Sequence, residues 1–326
     1  MHESQAIILR EAGGPEQLRL ETVTVNDPGA GQLLIRHTAI GVNYHDTYVR
    51  SGLYQTLKLP GIPGLEAAGV VAAVGPGVSS FRVGDRICYV EREYGAYAQL
   101  RTLAAARAMR VPEDISDTLA ASLCVNGLTA CVLLRRVHAV RAGERVLIHA
   151  GAGGVGQLLV RWARHLGATV ITTVGSSQKA AIARECGAHH VIEYREENFV
   201  DRVRQITDGQ GVAVVYDGVG LDTFSGSLDC LGILGTLVNF GQASGPVPPL
   251  TVSRLSAGSN GVVRPMLFHY IRERAALDAI AAETFAAVAS GIIRVETRLQ
   301  LPLARAADAH RALESRATTG SVILTP

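Results

Sequence analysis

The sequence predicts an α/β fold in which a doubly wound parallel sheet is inserted into a mostly-β domain. From about residue 127, apolar strands alternate with amphipathic helices, which is the pattern of a parallel sheet covered by helices. Residues 1 to about 125 instead carry short strands separated by turns rich in Gly and Pro. After Arg264 the chain returns to mixed helix and strand, so we expect the N-terminal segment and the tail to join. The predicted segments are 1–126 and 264–326 for the catalytic domain and 127–263 for the inserted domain.

The individual elements follow from hydrophobic periodicity. In the N-terminal segment we predict strands at 5–9, 18–25, 32–40, 67–74, 86–90 and 96–100. In the middle segment we predict strands at 145–149, 169–174, 190–194, 212–216 and 234–239, with helices between them. In the tail we predict helices over 275–290 and 303–317 and a last strand at 321–324.

Bulk composition is typical of an enzyme rather than of a nucleic-acid or membrane protein. The chain has 326 residues, a length that suits two domains with sizeable cores. The formal net charge is +2, and acidic and basic residues are interspersed along the chain, which disfavours nucleic acid as a partner. There is no uninterrupted apolar run long enough for a transmembrane helix and no signal-peptide pattern, so we expect a cytoplasmic protein. The five cysteines are scattered without C-x-x-C, which favours free thiols.

A glycine cluster between a β-branched strand and an apolar helix predicts dinucleotide binding. Gly151, Gly153 and Gly156 fit the pattern G-x-G-x-x-G, and Gly154 and Val155 lie within it. We expect the first glycine to permit a tight turn and the second to let a pyrophosphate approach the backbone. The third lets helix and strand pack closely. The phosphates would lie at the helix N-terminus, where free N–H groups favour negative charge.

The residues that follow the second strand of this domain indicate which dinucleotide binds. An NAD-preferring site places Asp or Glu there to accept hydrogen bonds from the ribose 2′-hydroxyl. Here the tip, 175–179, reads Gly-Ser-Ser-Gln-Lys and contains no acid, and Lys179 is one of two lysines among 31 basic residues. Hydroxyl groups and an ammonium bind a 2′-phosphate, so we expect NADPH in contact with Ser176 and Lys179. Ser176 or Ser177 also suits the N-cap of the following helix.

Seven blocks in the right order resemble quinone oxidoreductases of the zeta-crystallin type, in the zinc-free branch of the medium-chain dehydrogenase/reductase superfamily. These blocks lie at 39–54, 64–69 (Gly-Leu-Glu-Ala-Ala-Gly), 83–86, 152–156, 191–195, 215–220 (Val-Tyr-Asp-Gly-Val-Gly) and 314–317. The resemblance runs from end to end. It implies a Rossmann-type domain inserted into a GroES-like catalytic domain.

Two of these blocks bear on metal binding. In the zinc alcohol dehydrogenases of the superfamily, a Cys stands at the position of Asn43 and a His at the position of Leu65. Asn and Leu offer none of the thiolate, imidazole or carboxylate donors that zinc requires, and only Cys88 lies in the region of the structural zinc lobe. We therefore expect no metal. This disfavours alcohol oxidation, because the alcohol needs a Lewis acid to lose its proton.

The resemblance implies zinc-independent, NADPH-dependent reduction of quinones, by hydride or one-electron transfer, in an interdomain cleft. Asn43, Tyr48 and Tyr54 would line the pocket, with Asn43 or Tyr48 donating a hydrogen bond to the substrate oxygen. The further cofactor contacts that it implies are Thr129 at the nicotinamide-side ribose or phosphate, Tyr194 over the adenosine phosphate region, Asn239 and Phe240 after the fifth strand, Arg264 at a phosphate or the active-site rim, and Arg316 near the C-terminus.

Most of these residues also have a plain structural interpretation. The tyrosines can be packing residues, Asn43 can satisfy loop backbone groups, and Arg264 and Arg316 can be surface charges. Acidic residues beside glycine-rich turns, among them Glu66 and Asp85, are expected to bond backbone or pair with arginine. His45 beside Asp46 fits a proton relay or a local pair equally well.

Two further functions stay open. One is the NADPH-dependent reduction of α,β-unsaturated ketones or enoyl thioesters on the same scaffold, with a tyrosine such as Tyr48 as proton donor. The other is a non-enzymatic NADPH-binding role, crystallin-like or RNA-binding, as in some members of the family. The resemblance also implies a C2 homodimer joined through the edge strands of the nucleotide domains, for which the candidate segment is 255–264.

Overall fold

The computed structural model describes residues 1–316 and 318–326, and these residues form two compact units. The first unit consists of Met1–Gly127, Glu273–Ala281 and Val295–Pro326. The second unit consists of Leu128–Arg272 and Ala282–Arg294. Ala317, the last residue of the final predicted helix, lies outside the described residues.

The strands of the N-terminal segment pair antiparallel, whereas those in the middle of the chain, and the pair β14-β15 near its end, are parallel. In order they are β1 (His2–Leu9), β2 (Leu18–Val25), β3 (Gln32–Val42), β4 (Glu66–Val74), β5 (Arg86–Val90), β6 (Leu100–Ala104), β7 (Met109–Arg110), β8 (Arg145–His149), β9 (Thr169–Val174), β10 (His190–Glu193), β11 (Val212–Asp217), β12 (Leu231–Asn239), β13 (Gly261–Val263), β14 (Thr297–Pro302) and β15 (Ser321–Thr325).

The α-helices lie mostly between the parallel strands. They are α1 (Tyr44–Ser51), α2 (Asp117–Leu123), α3 (Asn126–Val132), α4 (Gly154–His165), α5 (Ser177–Glu185), α6 (Phe199–Ile206), α7 (Phe224–Asp229), α8 (Leu267–Tyr270), α9 (Arg274–Ala289) and α10 (Ala306–Glu314). The predicted helix at 303–317 is therefore a 3-10 turn, Leu303–Arg305, followed by the shorter α10.

The first unit is built on a sheet with the order β14-β15-β3-β4-β5-β7, and β6 also pairs with β3. The pairing β15-β3 is antiparallel, so the C-terminal strand joins the N-terminal segment in one sheet, as the sequence predicts. The strands β1 and β2 form a separate antiparallel pair. Buried side chains of this unit, including Ile7, Leu33, Ile35, Tyr89 and Tyr97, form one hydrophobic core.

The second unit is a six-stranded sheet with the order β10-β9-β8-β11-β12-β13, in which every described pair is parallel. Counted within the unit, this is the order 3-2-1-4-5-6 of a Rossmann fold. The central strands are apolar and buried because helices cover both faces of a parallel sheet. In such sheets ligands bind at the carboxyl ends of the strands, where the strand order reverses, here between β8 and β11.

Two predicted strands differ from the structure. The stretch 96–100 is not a regular strand, because its backbone groups bond alternately to two partners. Tyr97 O accepts from Ile7 N and Gln99 N donates to Gln5 O in β1, whereas Gln99 O accepts from His37 N in β3. The strand proper begins at Leu100.

The candidate edge segment 255–264 is also mostly not a strand. Its first residues belong to a 3-10 turn, Val252–Ala257, and only Gly261–Val263 pair with β12.

Among residues 1–316 and 318–326, no single helix is long and apolar enough to cross a membrane, although the bent pair Asp117–Leu123 and Asn126–Val137 passes on length and composition. The five cysteines are free and buried, as expected.

Candidate active site

The glycine turn joins β8 to α4 in the second unit, and its glycines are required by close contacts. A Cβ on Gly156 would lie 2.1 Å from the carbonyl oxygen of Ala150, and a Cβ on Gly151 would lie 2.1 Å from Thr172 Oγ1 in β9. Gly153 is the N-cap of α4, and a Cβ there would make a tight contact of 3.2 Å with the Ala150 carbonyl oxygen, less severe than at the other two glycines. Ala150, directly before Gly151, has a left-handed backbone with φ of 56°. Gly156 packs α4 against the turn at Ala150 and Gly151, whereas close packing of helix and strand was the prediction.

The turn after β9 carries the side chains predicted to bind a 2′-phosphate. Ser176 is the N-cap of α5, and its Oγ accepts a hydrogen bond from Lys179 N at 3.4 Å. The Tyr194 hydroxyl lies over Gly175, where a Cβ would come within 2.6 Å of it. Ser176, Lys179 and Tyr194 are therefore brought to one edge of the sheet.

An acidic side chain that the sequence analysis did not place here also reaches this edge. Glu193 ends β10, and its carboxylate accepts a hydrogen bond from Ser177 Oγ at 2.9 Å. It comes from the neighbouring strand rather than from the tip of β9, which explains why inspection of 175–179 alone missed it. Its position after a short apolar strand was the available signal.

The carboxyl ends of β11, β12 and β13 carry a connected polar group. Arg264 Nη1 donates to Asn239 Oδ1 and, at 3.0 Å, to Gly241 O. Asn239 Nδ2 donates to Asp217 O at 3.3 Å. The Phe240 ring packs against Gly218, where an added Cβ would lie 2.9 Å from a ring carbon. The structure thus brings Asn239, Phe240 and Arg264 together at the ligand-binding edge of the sheet.

In the first unit, Asn43 links β3 to α1 and is largely buried. Asn43 is the N-cap of α1, and its backbone N–H donates to Asp46 Oδ2 at 2.8 Å. Its side-chain Nδ2 donates to Glu66 Oε1 at 2.6 Å. The Asn43 side chain therefore has an acidic partner in Glu66, and it also closes the capping box of α1 with the backbone N–H of Asp46.

Aromatic side chains gather beside Asn43. The rings of Tyr48 and Tyr54 meet edge-on with centroids 5.1 Å apart, and Tyr54 N donates to Tyr48 O at 3.0 Å. His45 contacts the Tyr54 ring at 5.3 Å and bonds the Tyr94 hydroxyl through Nε2 at 3.0 Å. Burial lowers the pKa of His45 to about 4, so this imidazole is neutral at pH 7.

Asp46 and Glu66 are fully buried acids with raised pKa values. Burial raises the pKa of Asp46 to about 7, opposed by hydrogen bonds from Asn43 N and the Tyr97 hydroxyl. Burial likewise raises the pKa of Glu66 to about 8, opposed by hydrogen bonds from Asn43 and from Val125 N. Asp46 does not pair with the adjacent His45, so the structure supports neither the relay nor the local pair between these two residues.

The Tyr97 hydroxyl continues this network into the core. It donates to Asp46 Oδ2 at 3.2 Å and lies 3.0 Å from His310 Nε2 in α10. Burial lowers the pKa of His310 to about 3, so the ring is neutral and its Nε2–H is the donor to the Tyr97 oxygen. Sequence analysis missed Tyr97 and His310 because 213 residues separate them.

The residues at the two positions of the catalytic zinc ligands do not suit zinc. Leu65 is buried and apolar, and the Asn43 amide nitrogen is engaged with Glu66. Within the described part of the chain, no group of three or more His, Cys, Asp or Glu side chains could hold a metal ion. Zinc chemistry therefore finds no donor set in these residues.

The predicted site residues divide between the two units. Asn43, Tyr48, Tyr54 and Arg316 belong to the first unit. The others belong to the second unit: Thr129, Gly151, Gly153, Gly154, Val155, Gly156, Ser176, Lys179, Tyr194, Asn239, Phe240 and Arg264. Thr129 lies in α3, and Arg316 follows α10 with φ of 56°. Of the acids set aside from the sequence, Asp85 accepts from Arg82 N and pairs with Arg110, as expected.

Family models match both units. Residues 29–113 match the alcohol dehydrogenase GroES-like domain, and residues 154–282 match a family described as zinc-binding dehydrogenase. The positions of the two zinc ligands, Asn43 and Leu65 in this chain, lie within the first match and outside the second.

Close relatives match almost the whole chain. A quinone oxidoreductase of Salmonella typhimurium is 46% identical over 96% of this chain and 97% of its own length. A 2-haloacrylate reductase of a Burkholderia species is 44% identical over 98% of both chains. The crystal structure of Escherichia coli quinone oxidoreductase complexed with NADPH superposes with a TM-score of 0.96, at 44% identity, over 99% of this chain and all of that one. The chain therefore belongs to the quinone oxidoreductase family of the medium-chain dehydrogenase/reductase superfamily.

Proposed function

We propose that this protein is an NADPH-dependent reductase of quinones and other electron-poor carbonyl compounds. The observation that carries the proposal is the match over 99% of the chain to a quinone oxidoreductase complexed with NADPH. When bound, NADPH supplies a hydride, which with one proton from solvent reduces a quinone to a hydroquinone.

The second unit has the features that such a cofactor needs. Gly151 and Gly156 leave no room for a Cβ, and the N-terminus of α4 offers unpaired N–H groups to a pyrophosphate. Ser176 and Lys179 supply a hydroxyl and an ammonium for the 2′-phosphate, and Tyr194 covers the adenosine side. Thr129, Asn239, Phe240, Arg264 and Arg316 are assigned to the remainder of the cofactor.

In the first unit, Asn43 is the proposed hydrogen-bond donor to the substrate oxygen. One N–H of its Nδ2 is used by Glu66, and the other is available to a carbonyl that gains electron density during reduction. A neutral N–H stabilises an oxyanion less than a metal cation does, so the substrate must itself be electron-poor. Quinones meet that condition.

Tyr48 and Tyr54 are proposed as pocket walls. Their edge-on contact holds both rings in place, and a flat substrate ring can stack against them. The Tyr48 hydroxyl is the second candidate donor to the substrate.

A second function on the same site is the reduction of an activated carbon–carbon double bond. The 2-haloacrylate reductase that is 44% identical over 98% of the chain favours it. The same hydride would then reach the β-carbon of an α,β-unsaturated carbonyl, and the α-carbon would take a proton, with Tyr48 as the candidate donor.

Initial rates of NADPH and NADH oxidation at 340 nm test the proposal, with 1,4-benzoquinone, 9,10-phenanthrenequinone, 2-chloroacrylate and a simple enone as acceptors. Fast quinone turnover with NADPH alone would support the first function, and turnover of 2-chloroacrylate or the enone only would support the second. Tight NADPH binding with no turnover of any acceptor would refute both and favour a non-enzymatic role.

We also propose a C2 homodimer formed through the edge of the second unit's sheet. β13 is the last strand of that sheet, and large apolar side chains near this edge are exposed, among them Ile233 at 83% and Leu234 at 74%. Pairing of two such edges would cover backbone groups and apolar surface together. Sedimentation equilibrium tests it: a monomer at micromolar concentration would refute the dimer, and Ile233→Asp should favour the monomer if the edge is the interface.

A further inference from the structure

Glu66 is fitted closely into the structure around Asn43. It is 1% exposed and begins β4. Its Oε1 accepts from Asn43 Nδ2 at 2.6 Å, and its Oε2 accepts from the backbone N–H of Val125. On its other side lies β3, where a Cβ on Gly41 would come within 2.2 Å of Oε1. The carboxyl group therefore has one available position, and both of its oxygens are in use.

This arrangement determines which way the Asn43 amide faces. An ionised carboxylate accepts hydrogen bonds and donates none, so the amide nitrogen, and not the amide oxygen, must face it. The second N–H of the same nitrogen then has a defined direction. The same orientation lets the amide oxygen face the backbone N–H of Asp46 in the capping box of α1, so a turn of the amide by 180° would also give up that contact.

We infer that Glu66 is a positioning residue that orients the Asn43 amide so that its second N–H faces the substrate oxygen. The inference rests on the proposed function, in which Asn43 is that donor. Glu66 itself touches neither substrate nor cofactor in this scheme and acts through Asn43.

Protonation of Glu66 favours the reversed orientation, against the capping-box contact of the Asn43 side chain. A protonated carboxyl carries an O–H that must donate, and the Val125 N–H cannot accept it. The Asn43 amide can accept it, by turning its Oδ1 toward Glu66. The groups that face Glu66 are Asp46 from α1, whose charge raises the Glu66 pKa, and Tyr97 and Cys124, whose own pKa values its charge raises. With the pKa of Glu66 at about 8, the two amide orientations exchange in a pH range accessible to kinetics.

The variant Glu66→Gln imposes the reversed orientation at all pH values. The Val125 N–H still needs an acceptor, and the glutamine oxygen serves as that acceptor. The glutamine nitrogen then faces Asn43 and needs the Asn43 amide oxygen as its own acceptor. At pH 9, where wild-type Glu66 is ionised, we expect kcat for quinone reduction to fall by about 10²–10³-fold, the cost of removing one aligned oxyanion donor. NADPH affinity should stay within twofold. The wild-type kcat should show an inflection near pH 8 that is missing in Glu66→Gln.

Asn43→Ala and the double variant separate the possible outcomes. If Glu66 acts through Asn43, Asn43→Ala lowers kcat and Glu66→Gln has no further effect in that background. An unchanged kcat in Asn43→Ala would refute the role of Asn43 in the proposed function and with it this inference. A reduced kcat in Asn43→Ala with a wild-type kcat in Glu66→Gln would refute the inference alone. An equal loss from Glu66→Gln in both backgrounds would indicate a general structural effect and also refute it.

A measurement on the wild-type chain tests the inference even where Glu66→Gln does not fold. The sequence has six asparagines, so [15N]Asn labelling gives few side-chain amide signals, and Asn43→Ala identifies the relevant pair. We expect the Asn43 amide signals to shift between pH 6.5 and 9 with a single midpoint near 8. Amide signals of Asn43 that do not titrate would refute the coupling to Glu66.

Discussion

Raising the pH from 6.5 to 8 should weaken the fold of the first unit, and Glu66→Gln should remove most of that loss. Burial raises the pKa of Glu66 to about 8, whereas its ordinary value is 4.5. Between these two values the unfolded chain has released the proton and the folded chain keeps it. The unfolding free energy therefore falls as the pH rises. The contribution of Glu66 is fully present below pH 4.5 and is lost as the pH rises through about 8.

The magnitude follows from the pKa difference. One pKa unit corresponds to about 1.4 kcal/mol, and integration from pH 6.5 to 8 gives a loss of about 1.6 kcal/mol for Glu66. Asp46, with a pKa of about 7, loses about 0.8 kcal/mol over the same range. The buried His37, His45 and His310 act in the opposite sense: their pKa values are lowered, so their stabilisation is present above pH 6.5 and lost as the pH falls. Wild type and Glu66→Gln share these other groups, so their difference isolates Glu66.

Urea unfolding at pH 6.5, 7, 7.5 and 8, followed by near-ultraviolet circular dichroism of tyrosine, measures the difference. Most tyrosines report on the first unit, namely Tyr44, Tyr48, Tyr54, Tyr89, Tyr94 and Tyr97. Asp85→Asn is the matched control, because its hydrogen bond from Arg82 N lowers the Asp85 pKa and keeps it ionised across this range. Its pH dependence should follow that of the wild type. Parallel curves for wild type and Glu66→Gln would refute the reasoning, because they would mean that Glu66 is already ionised at pH 6.5.

Three further predictions concern the second unit. Gly156→Ala should lower the unfolding free energy of this unit by about 1–3 kcal/mol, because the new Cβ meets the Ala150 carbonyl. Gly153→Ala should lower it by less than about 1 kcal/mol but should weaken NADPH binding. Urea unfolding, followed by the fluorescence of the single tryptophan, distinguishes the two variants. Ala150→Gly should raise the same free energy by about 0.5–1 kcal/mol, since it relieves a left-handed alanine, and no gain would mean that this backbone carries no strain. Lys179→Ala should weaken NADPH binding by about 1.5–3 kcal/mol and leave the affinity for NADH unchanged, with Lys58→Ala as the control. An equal loss of affinity for both cofactors in a binding titration would contradict contact with the 2′-phosphate.

The second unit was largely predictable because its information is local. The strands β8 and β9 are short apolar runs, and the bounds predicted for them match those observed. Gly156 has a local cause in the Ala150 carbonyl, whereas Gly151 is required by Thr172 of the neighbouring strand, and the left-handed backbone of Ala150 was not predicted. A positive φ at a residue other than glycine cannot be predicted from the identity of that residue. Here the surrounding turn imposes that conformation on an alanine.

The contacts of Asn43 were not predictable because their partners are distant in sequence. Glu66 lies 23 residues away and meets Asn43 only because β3 pairs with β4. The same holds for Glu193, which reaches the turn after β9 because β10 is its neighbour in the sheet. An acid beside a glycine-rich turn was expected to bond backbone or arginine. That holds for Asp85 and is only half true of Glu66, since one of its two partners is a side-chain amide.

The residues around Asn43 also explain which substrates the proposed reaction can use. A zinc ion lends a full positive charge to an alkoxide, whereas an amide N–H contributes one hydrogen bond, and here the amide is itself held by an acid. A negative charge at Glu66 lowers the ability of the site to stabilise an oxyanion, and the burial that raises its pKa reduces that penalty by favouring the neutral acid. Protonation, however, turns the amide away from the orientation in which it donates. Under the proposed function, the site is thus a compromise between a correctly oriented donor and a low negative charge, and it would suit acceptors that need little electrophilic help. Quinones and haloacrylates both meet that condition, because each has a conjugated carbonyl group in an electron-poor system.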